Sequence, residues 1–251
     1  MDASISLRGV GRRFTGRGAV IEAVSGVDLE VAPGEFVVIV GPSGCGKSTV
    51  LNMVAGLFAP TAGAIRVGGA IVAGVNPAVG YVTQQDNLLP WRTVRENVEL
   101  PLELAVRRLD AATRRARALA LIDRVGLGDF RDHYPHELSG GMRQRINIIR
   151  TLSYNPQMIL MDEPFGPLDA MTRGALQQEL LNLWSAERKT VLFITHDLME
   201  AIALGDRVVV MSARPGRVKA IERVDIPRPR RLAEVTKDPL FHRIHDRLSD
   251  L

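Results

Sequence analysis

Cysteine is nearly absent: Cys45 is the only one in 251 residues, so the chain has no internal disulfide. Aromatic residues make up 5% of the chain, and none interleaves with its arginine-rich stretch, which argues against a base-stacking surface. No apolar run approaches the roughly 20 residues that a membrane span requires, so any membrane role must come through a partner. The first residues, MDASISLRGVGRRF, lack the apolar core of a signal peptide, and the expectation is a cytoplasmic chain. A strong charge of one sign is lacking too. The formal net charge of +4 makes no case for nucleic acid, and no such partner is expected. Hydrophobic residues at 46% and charged residues at 24% are ordinary for a globular protein, with enough apolar material for one large domain or a domain with an inserted lobe. No internal repeat is evident.

Against that plain background stands FVVIVGPSGCGKST, residues 36–49. Val37 to Val40 read as a short buried strand, the residues from Thr49 onward read as a helix, and a glycine loop joins them. That is the context required by the phosphate-binding pattern GxxxxGK(S/T). Glycines let successive backbone N–H groups point into one concavity, and the helix start adds partial positive charge. Gly41, Pro42, Ser43, Gly44, Cys45, Gly46, Lys47, Ser48 and Thr49 form the expected cradle. Lys47 reaches the β- and γ-phosphates, and the Ser48 hydroxyl is suited to Mg²⁺. Cys45 reads as a small residue filling a loop position. A nucleoside triphosphate is the expected ligand.

Upstream, SISLRGV, AVIEAVSGVDLEV and EFVVIV read as strands, with Pro33-Gly34 as the turn before the last. Phe14 is the only aromatic before Phe36, and either stacks on a base or belongs to the core. Downstream, residues 61–69 and 78–83 read as strands. The second ends at Gln84-Gln85, which reads equally as a side chain presented at a site or as a capped loop. Residues 88–136 change character. Thr93 with Glu96 forms a capping-box pattern, and Asp110 caps a helix that stops at Gly126. Arginines 107, 108, 114, 115 and 117 read as a solvated helix face. The segment looks like a helical lobe inserted in an α/β frame.

LSGGMRQR follows, with Ser139 as N-cap and Gly140 and Gly141 leaving N–H groups uncovered at a helix start. Two phosphate-binding elements in one chain fit a nucleotide held between two copies of it. His133 and His136 lie nearby without a third ligand at metal spacing. MILMDEP is a buried strand ending in two carboxylates at the end where α/β sheets place ligands. Asp162 is suited to holding Mg²⁺ and Glu163 to polarising an attacking water. A helix over AMTRGALQQELLNLW carries the chain back, and residues 190–195 form another strand, ending in His196-Asp197. Residues 207–211 form one further strand, and the tail from Pro227 reads as an extension that becomes helical near Pro239.

In order and spacing, the phosphate loop, LSGGMRQR, LMDEP, LD and THD resemble the ATP-binding cassette (ABC) ATPases. The likeness spans roughly residues 4–211. It implies an α/β phosphate-loop core with an antiparallel β subdomain (residues 1–87 and 158–226), a helical subdomain (88–157) and a C-terminal extension (227–251). It also implies ATP and Mg²⁺, with Lys47, Glu163, His196 and Gln84 catalytic and Ser48, Gln84 and Asp162 at the metal. Counting seven residues back from Trp91 in QQDNLLPW favours Gln84 over Gln85 for that role. Phe14 would stack on adenine, although the family more often has Tyr. Ser139, Gly140 and Gly141 would bind the γ-phosphate held by an opposite subunit, and Asp169 would cross the seam. Two departures are INIIRTL, where the family has alanine-rich residues, and GPLD in place of SALD. LLPWRTVRENVELPLEL and YPHELSGGMRQR are similar to importer ATPases for nitrate, sulfonates, taurine and related small anions. Such subunits sit peripherally on the cytoplasmic side of the inner membrane. They pair with a second copy or a homologue on two membrane permeases, served by an extracytoplasmic substrate-binding protein. A soluble cassette outside transport, or the ATPase of an exporter or lipid-handling complex, would share the same catalytic residues.

Overall fold

The computed structural model describes residues 3–16, 19–104, 109–166 and 168–251; Arg107, Arg108 and Pro167 of the motifs above lie outside them. Strands β1 (Ile5–Gly16) and β2 (Ala19–Val31) pair antiparallel. Strand β3 (Phe36–Val40) leaves them for a second sheet, and the glycine loop leads into α1 (Lys47–Val54). Strands β4 (Ala62–Val67) and β5 (Ala70–Ile71) then complete the first sheet in the order β2-β1-β4-β5. After β6 (Val79–Val82) come three helices, α2 (Val94–Leu104), α3 (Ala111–Arg124) and α4 (Gly140–Ser153). The chain continues through β7 (Met158–Asp162), α5 (Ala170–Glu187), β8 (Thr190–Ile194), α6 (Leu198–Leu204), β9 (Arg207–Met211) and β10 (Val218–Arg223). It ends in α7 (Leu232–Val235) and α8 (Pro239–Ser249). The second sheet has the order β10-β9-β3-β8-β7-β6, parallel except for β10.

All five residues of β3 are buried, as a parallel strand covered on both faces requires. Phe36, Val38 and Val40 face one apolar layer, built with α5, α6 and α8; Val37 and Ile39 face the other, built with α1 and the antiparallel sheet. Each such side chain contributes about 1.5–3 kcal/mol on burial. Helices α2, α3 and α4 share a third cluster around Val98, Ala118, Ile122 and Ile146. Ile148, on another face of α4, packs with the main core, so α4 ties the helical lobe to the sheet.

Several elements differ from expectation for local reasons. Strand β1 continues past its apolar run to Gly16, because register shifts let Arg12 and Arg13 pair with β2 and carry Phe14 opposite Ile21. Helix α1 begins at Lys47 rather than Thr49, with Gly46 as its N-cap. Helix α5 runs beyond Trp184 to Glu187. Helix α6 was not anticipated; Asp197 starts it by accepting from the N–H groups of Met199 at 2.8 Å and Glu200 at 3.2 Å. Edge strand β10, with three charged residues among its six, gave no strand signal. Helix α8 begins at Pro239 as expected, with Asp238 as its cap.

The tail carries a charge into the interior. Arg230 is 5% exposed and forms no ion pair among the described residues, with Asp206 acting on it only at longer range; its guanidinium donates to the carbonyls of Ile202, Gly205, Val224 and Ile226. These include the last carbonyls of α6 and its exit, so the side chain acts as a C-cap from a distance. Burial, with Arg228 nearby, pushes its pKa down to about 10. Arg230→Met keeps the length and removes every donor. It is expected to cost about 2–4 kcal/mol in a denaturant titration, because buried carbonyls lose their partners; an unchanged midpoint would contradict this account of the tail.

Candidate functional site

The parallel strands deliver their carboxyl ends to one edge, where open α/β sheets gather ligands. Across that edge from β6, the residues at or just beyond the strand ends are Gln84, then Asp162 and Glu163, then His196, then the glycine loop after β3, then the loop after β9. These residues are far apart in sequence and adjacent in space because the strand order is not the chain order.

Gly46 turns the glycine loop into α1 with φ of +102°, and a Cβ there would stand 2.7 Å from Val24 Cγ2 and 2.8 Å from Ala23 O. Only glycine fits. Lys47 is 6% exposed, and its ammonium donates to the carbonyls of Gly41 at 2.8 Å and Pro42 at 3.1 Å, which offsets the cost of its burial. Cys45 is buried, in keeping with a filler role. Ser48 Oγ donates to Asp162 Oδ1 at 3.1 Å. Burial raises the Asp162 carboxyl above the usual range and the adjacent Glu163 charge adds to this, while the Ser48 hydrogen bond and the Lys47 charge oppose it.

Glu163 has φ of +43°, in the left-handed region that a non-glycine residue rarely adopts. The surrounding backbone imposes it: Glu163 N–H donates to Ile194 O at 3.0 Å, and Glu163 O accepts from Gly166 N–H at 3.1 Å. The result is a carboxylate aimed across to β8, where Oε2 lies 3.0 Å from His196 Nδ1. His196 also borders Gly41, Pro42 and Ser43. The Gln84 amide nitrogen and Glu163 Oε2 each lie 3.9 Å from where a Cβ on Gly166 would stand, so the two flank one point.

His196, with Gly41 and Pro42, lines a neighbouring cleft, and a cleft of about 540 Å³ opens here. Ser43, Gly44, Gly46, Lys47, Ser48 and Thr49 form its floor, and Gln84, Asp162 and Glu163 stand to one side. Phe14, Ile21 and Ala23 form an apolar end. Phe14 is 37% exposed; it meets Phe58 edge-on at 5.7 Å and carries the Arg12 guanidinium 4.8 Å from its ring centroid. Arg214, which the sequence reading passed over, also lines the cleft.

Ser139, Gly140 and Gly141 are not in this cleft. Ser139 Oγ caps α4 by accepting from Met142 N–H at 3.3 Å, and Gly140 faces a neighbouring cleft with Gln84 to Asn87, Arg143, Gln144 and Leu168. Gly141 has a packing reason of its own: a Cβ there would stand 2.4 Å from Thr172 Cγ2 of α5. Asp169 is exposed and caps α5, and hydrogen bonds from Thr172, then from Met171 N–H, hold its carboxyl below the usual range. His133 packs on Phe130 and His136 stacks on Tyr134. Among the arginines expected on a solvated face, Arg115 and Arg117 are exposed and Arg114 turns back to Leu109 O.

The INIIRTL departure also acquires a reason. Asn147 is fully buried; its amide donates to Thr83 O at 3.3 Å and accepts from Arg150 at 3.0 Å. Arg150 donates to Asp86 O and Asn87 O, each at 2.8 Å, and Arg143 pairs with Asp86 at 2.9 Å. The polar residues of α4 therefore grip the loop that begins at Gln84.

A family model described as ABC transporter matches residues 24–166. The chain belongs to the ABC transporter ATPases. It is an ATP-binding protein that hydrolyses ATP to ADP and phosphate, and its mixed α/β fold, with antiparallel and helical subdomains, is the fold of that cassette. It is 46% identical over 230 residues to an uncharacterized ABC transporter ATP-binding protein of Methanocaldococcus jannaschii, covering 92% of this chain and 85% of that protein. It is 43% identical over 227 residues to the bicarbonate transport ATP-binding protein CmpC of Synechococcus elongatus, covering 90% of this chain and 34% of that one. Among solved structures, the dimeric post-hydrolysis state of the ATP-binding cassette MJ0796 bound to ADP and Pi superposes with a TM-score of 0.79 at 35% identity. That match covers 89% of this chain and 100% of the cassette. Among the described residues, no helix of this ABC ATPase is long and apolar enough to cross a membrane.

The contact beneath Gly141 yields a double-mutant test. Gly141→Ala would ordinarily favour a helix, yet here it is expected to cost about 1–3 kcal/mol through the clash with Thr172. Adding Thr172→Ser removes the clashing methyl and should restore most of that loss in thermal melts. A stable Gly141→Ala single variant would show that α4 and α5 do not abut as described.

Proposed function

We propose that this ABC ATPase powers uptake of a small anion through separate membrane permease subunits, from the cytoplasmic face of the inner membrane. The observation that carries the substrate class is the 43% identity with a bicarbonate transport subunit over 90% of the chain. The LLPW and YPHELSGG stretches support the same reading. Selection of the anion belongs to the permease and an extracytoplasmic binding protein.

In the proposed reaction, water attacks the γ-phosphorus, its bond to the β,γ-bridging oxygen breaks, and ADP leaves. Glu163 takes the proton of the attacking water, and His196, 3.0 Å from its carboxylate, orients it and contacts the γ-phosphate. Lys47 and the loop amides neutralise the phosphates. Phe14 stacks on adenine at the apolar end of the cleft. Ser48, Asp162 and Gln84 would hold Mg²⁺, with Ser48 and Asp162 presenting adjacent oxygens of the kind it prefers. Bound there, Mg²⁺ supplies positive charge to the phosphate chain. Gln84 reports on the metal and water to the permease.

The γ-phosphate contacts of Ser139, Gly140 and Gly141 come from a second copy, and Asp169 crosses the seam. Their position outside the cleft of their own chain supports this, as does the dimeric state of the related cassette.

Glu163→Gln is expected to keep ATP affinity within about twofold while turnover falls by about 10²-fold or more. Near-normal turnover would remove the base role from Glu163. The transport reading is tested by purifying the tagged chain from its native membranes. A multi-span permease should accompany it; ribosomes or DNA-repair factors in its place would overturn importer while leaving ATP hydrolysis intact.

A further inference from the structure

The loop after β9 is built as the outer wall of the phosphate loop. Gly216 N–H donates to Ala23 O and Gly216 O accepts from Ser25 N–H, both at 3.0 Å, which ties the loop to β2. A Cβ at Gly216 would stand 2.0 Å from Cys45 O, so this backbone lies directly against the phosphate loop. Ser212 closes the loop on itself, donating its N–H to Arg217 O at 2.9 Å and accepting from Arg217 N–H on its hydroxyl at 3.1 Å. From this braced turn Arg214 reaches back, and its Nε and Nη2 donate to Gly44 O at 3.2 and 3.1 Å.

One edge of the guanidinium is thus clipped to a phosphate-loop carbonyl. The other edge, with Nη1 and the second Nη2 hydrogen, keeps its donors and forms no ion pair among the described residues. Among the described residues, Arg214 and Lys47 are the two cations lining the cleft. Arg214 stands where the apolar end at Ala23 meets the phosphate loop at Gly44, and it makes no contact with Glu163 or His196 among the described residues. A planar fork with a free edge at such a boundary matches phosphate oxygens.

We propose that Arg214 is a nucleotide-binding residue, a second cationic anchor that grips the diphosphate part of the nucleotide from the β9 side and sets affinity rather than chemistry. The inference rests on the ATP site described above. It assigns a contact to the fifth strand end of the edge, beside the contacts proposed for the other four. Because the diphosphate is shared by ATP and ADP, Arg214 holds substrate and product alike.

The test is nucleotide binding to the full chain by calorimetry, with ATP, ADP and adenosine as ligands, alongside steady-state hydrolysis. Arg214→Ala is expected to weaken ATP and ADP by about tenfold each and to leave adenosine unchanged, since only a charged hydrogen bond is lost. KM for ATP should rise by a similar factor while kcat stays within about twofold. Arg214→Lys, which keeps the charge without the fork, should fall between. Losing the clip on Gly44 O should lower the nucleotide-free melt slightly, so the adenosine control is what separates ligand contact from general distortion of the site. Unchanged ATP affinity in Arg214→Ala would overturn the inference, and so would an equal loss for adenosine. Failure of the wild-type chain to bind ATP would instead overturn the site on which it rests.

Discussion

Strand β3 lies between β8 and β9, all three running the same way, and the chemistry of this molecule hangs on that packing. Parallel strands share a direction, so their carboxyl ends leave the sheet together. Apolar layers cover both faces, and the edge is where Lys47, Asp162, Glu163 and His196 come together. Burying the Lys47 ammonium in an apolar surrounding would be costly; two loop carbonyls make it tolerable and set its direction. The strained backbone at Glu163 is held by a hydrogen bond to β8, so the same neighbouring strand that presents His196 also aims the carboxylate at it.

Helix α4 extends this edge into a mechanical link. Its first turn carries Ser139 and Gly140, and its middle turns hold the backbone at Thr83, Asp86 and Asn87 through Asn147 and Arg150. Burial pushes the Arg150 pKa down while Asp86 opposes it, as befits a cation spent on carbonyls in a semi-buried position. Helix α4 and the loop that begins at Gln84 are thus joined through several side-chain hydrogen bonds. Under the proposed two-copy arrangement, the surface offered to the partner's nucleotide and the glutamine beside the chain's own are parts of one rigid piece.

The phosphate loop, the LSGG cap and the LMDEP strand were legible because each rests on local signals: a glycine pattern, a capping serine, an apolar run ending in acids. The same holds for the start of α8 near Pro239. What stayed hidden depends on contacts made across the chain. Arg230 looks like any tail arginine until it is seen among the carbonyls around α6. Arg214 sits in an unremarked SARPGR turn, and only the pairing of β9 with β3 brings it to the phosphate loop. Gly141 reads as an open N–H donor, yet the approach of Thr172 is what demands glycine there. Phe14 was left open between core and site, and the structure sets it outside the buried clusters, against Phe58 at the apolar end of the cleft. Asn147 was visible only as a departure from an alanine-rich pattern, with no signal for the loop it holds.

The central claim, that each catalytic site joins the phosphate loop of one copy to the LSGG turn of another, is tested most directly by mixing two inactive variants. Lys47→Ala disables the phosphate loop, and Ser139→Arg disables the cap of α4. In a mixed dimer, the intact loop of one chain faces the intact cap of the other. Mixing equal amounts should then restore ATPase activity to about a quarter of wild type, since half the dimers carry one complete site of two. A mixture as inactive as its components would contradict the composite site and return both elements to a single chain.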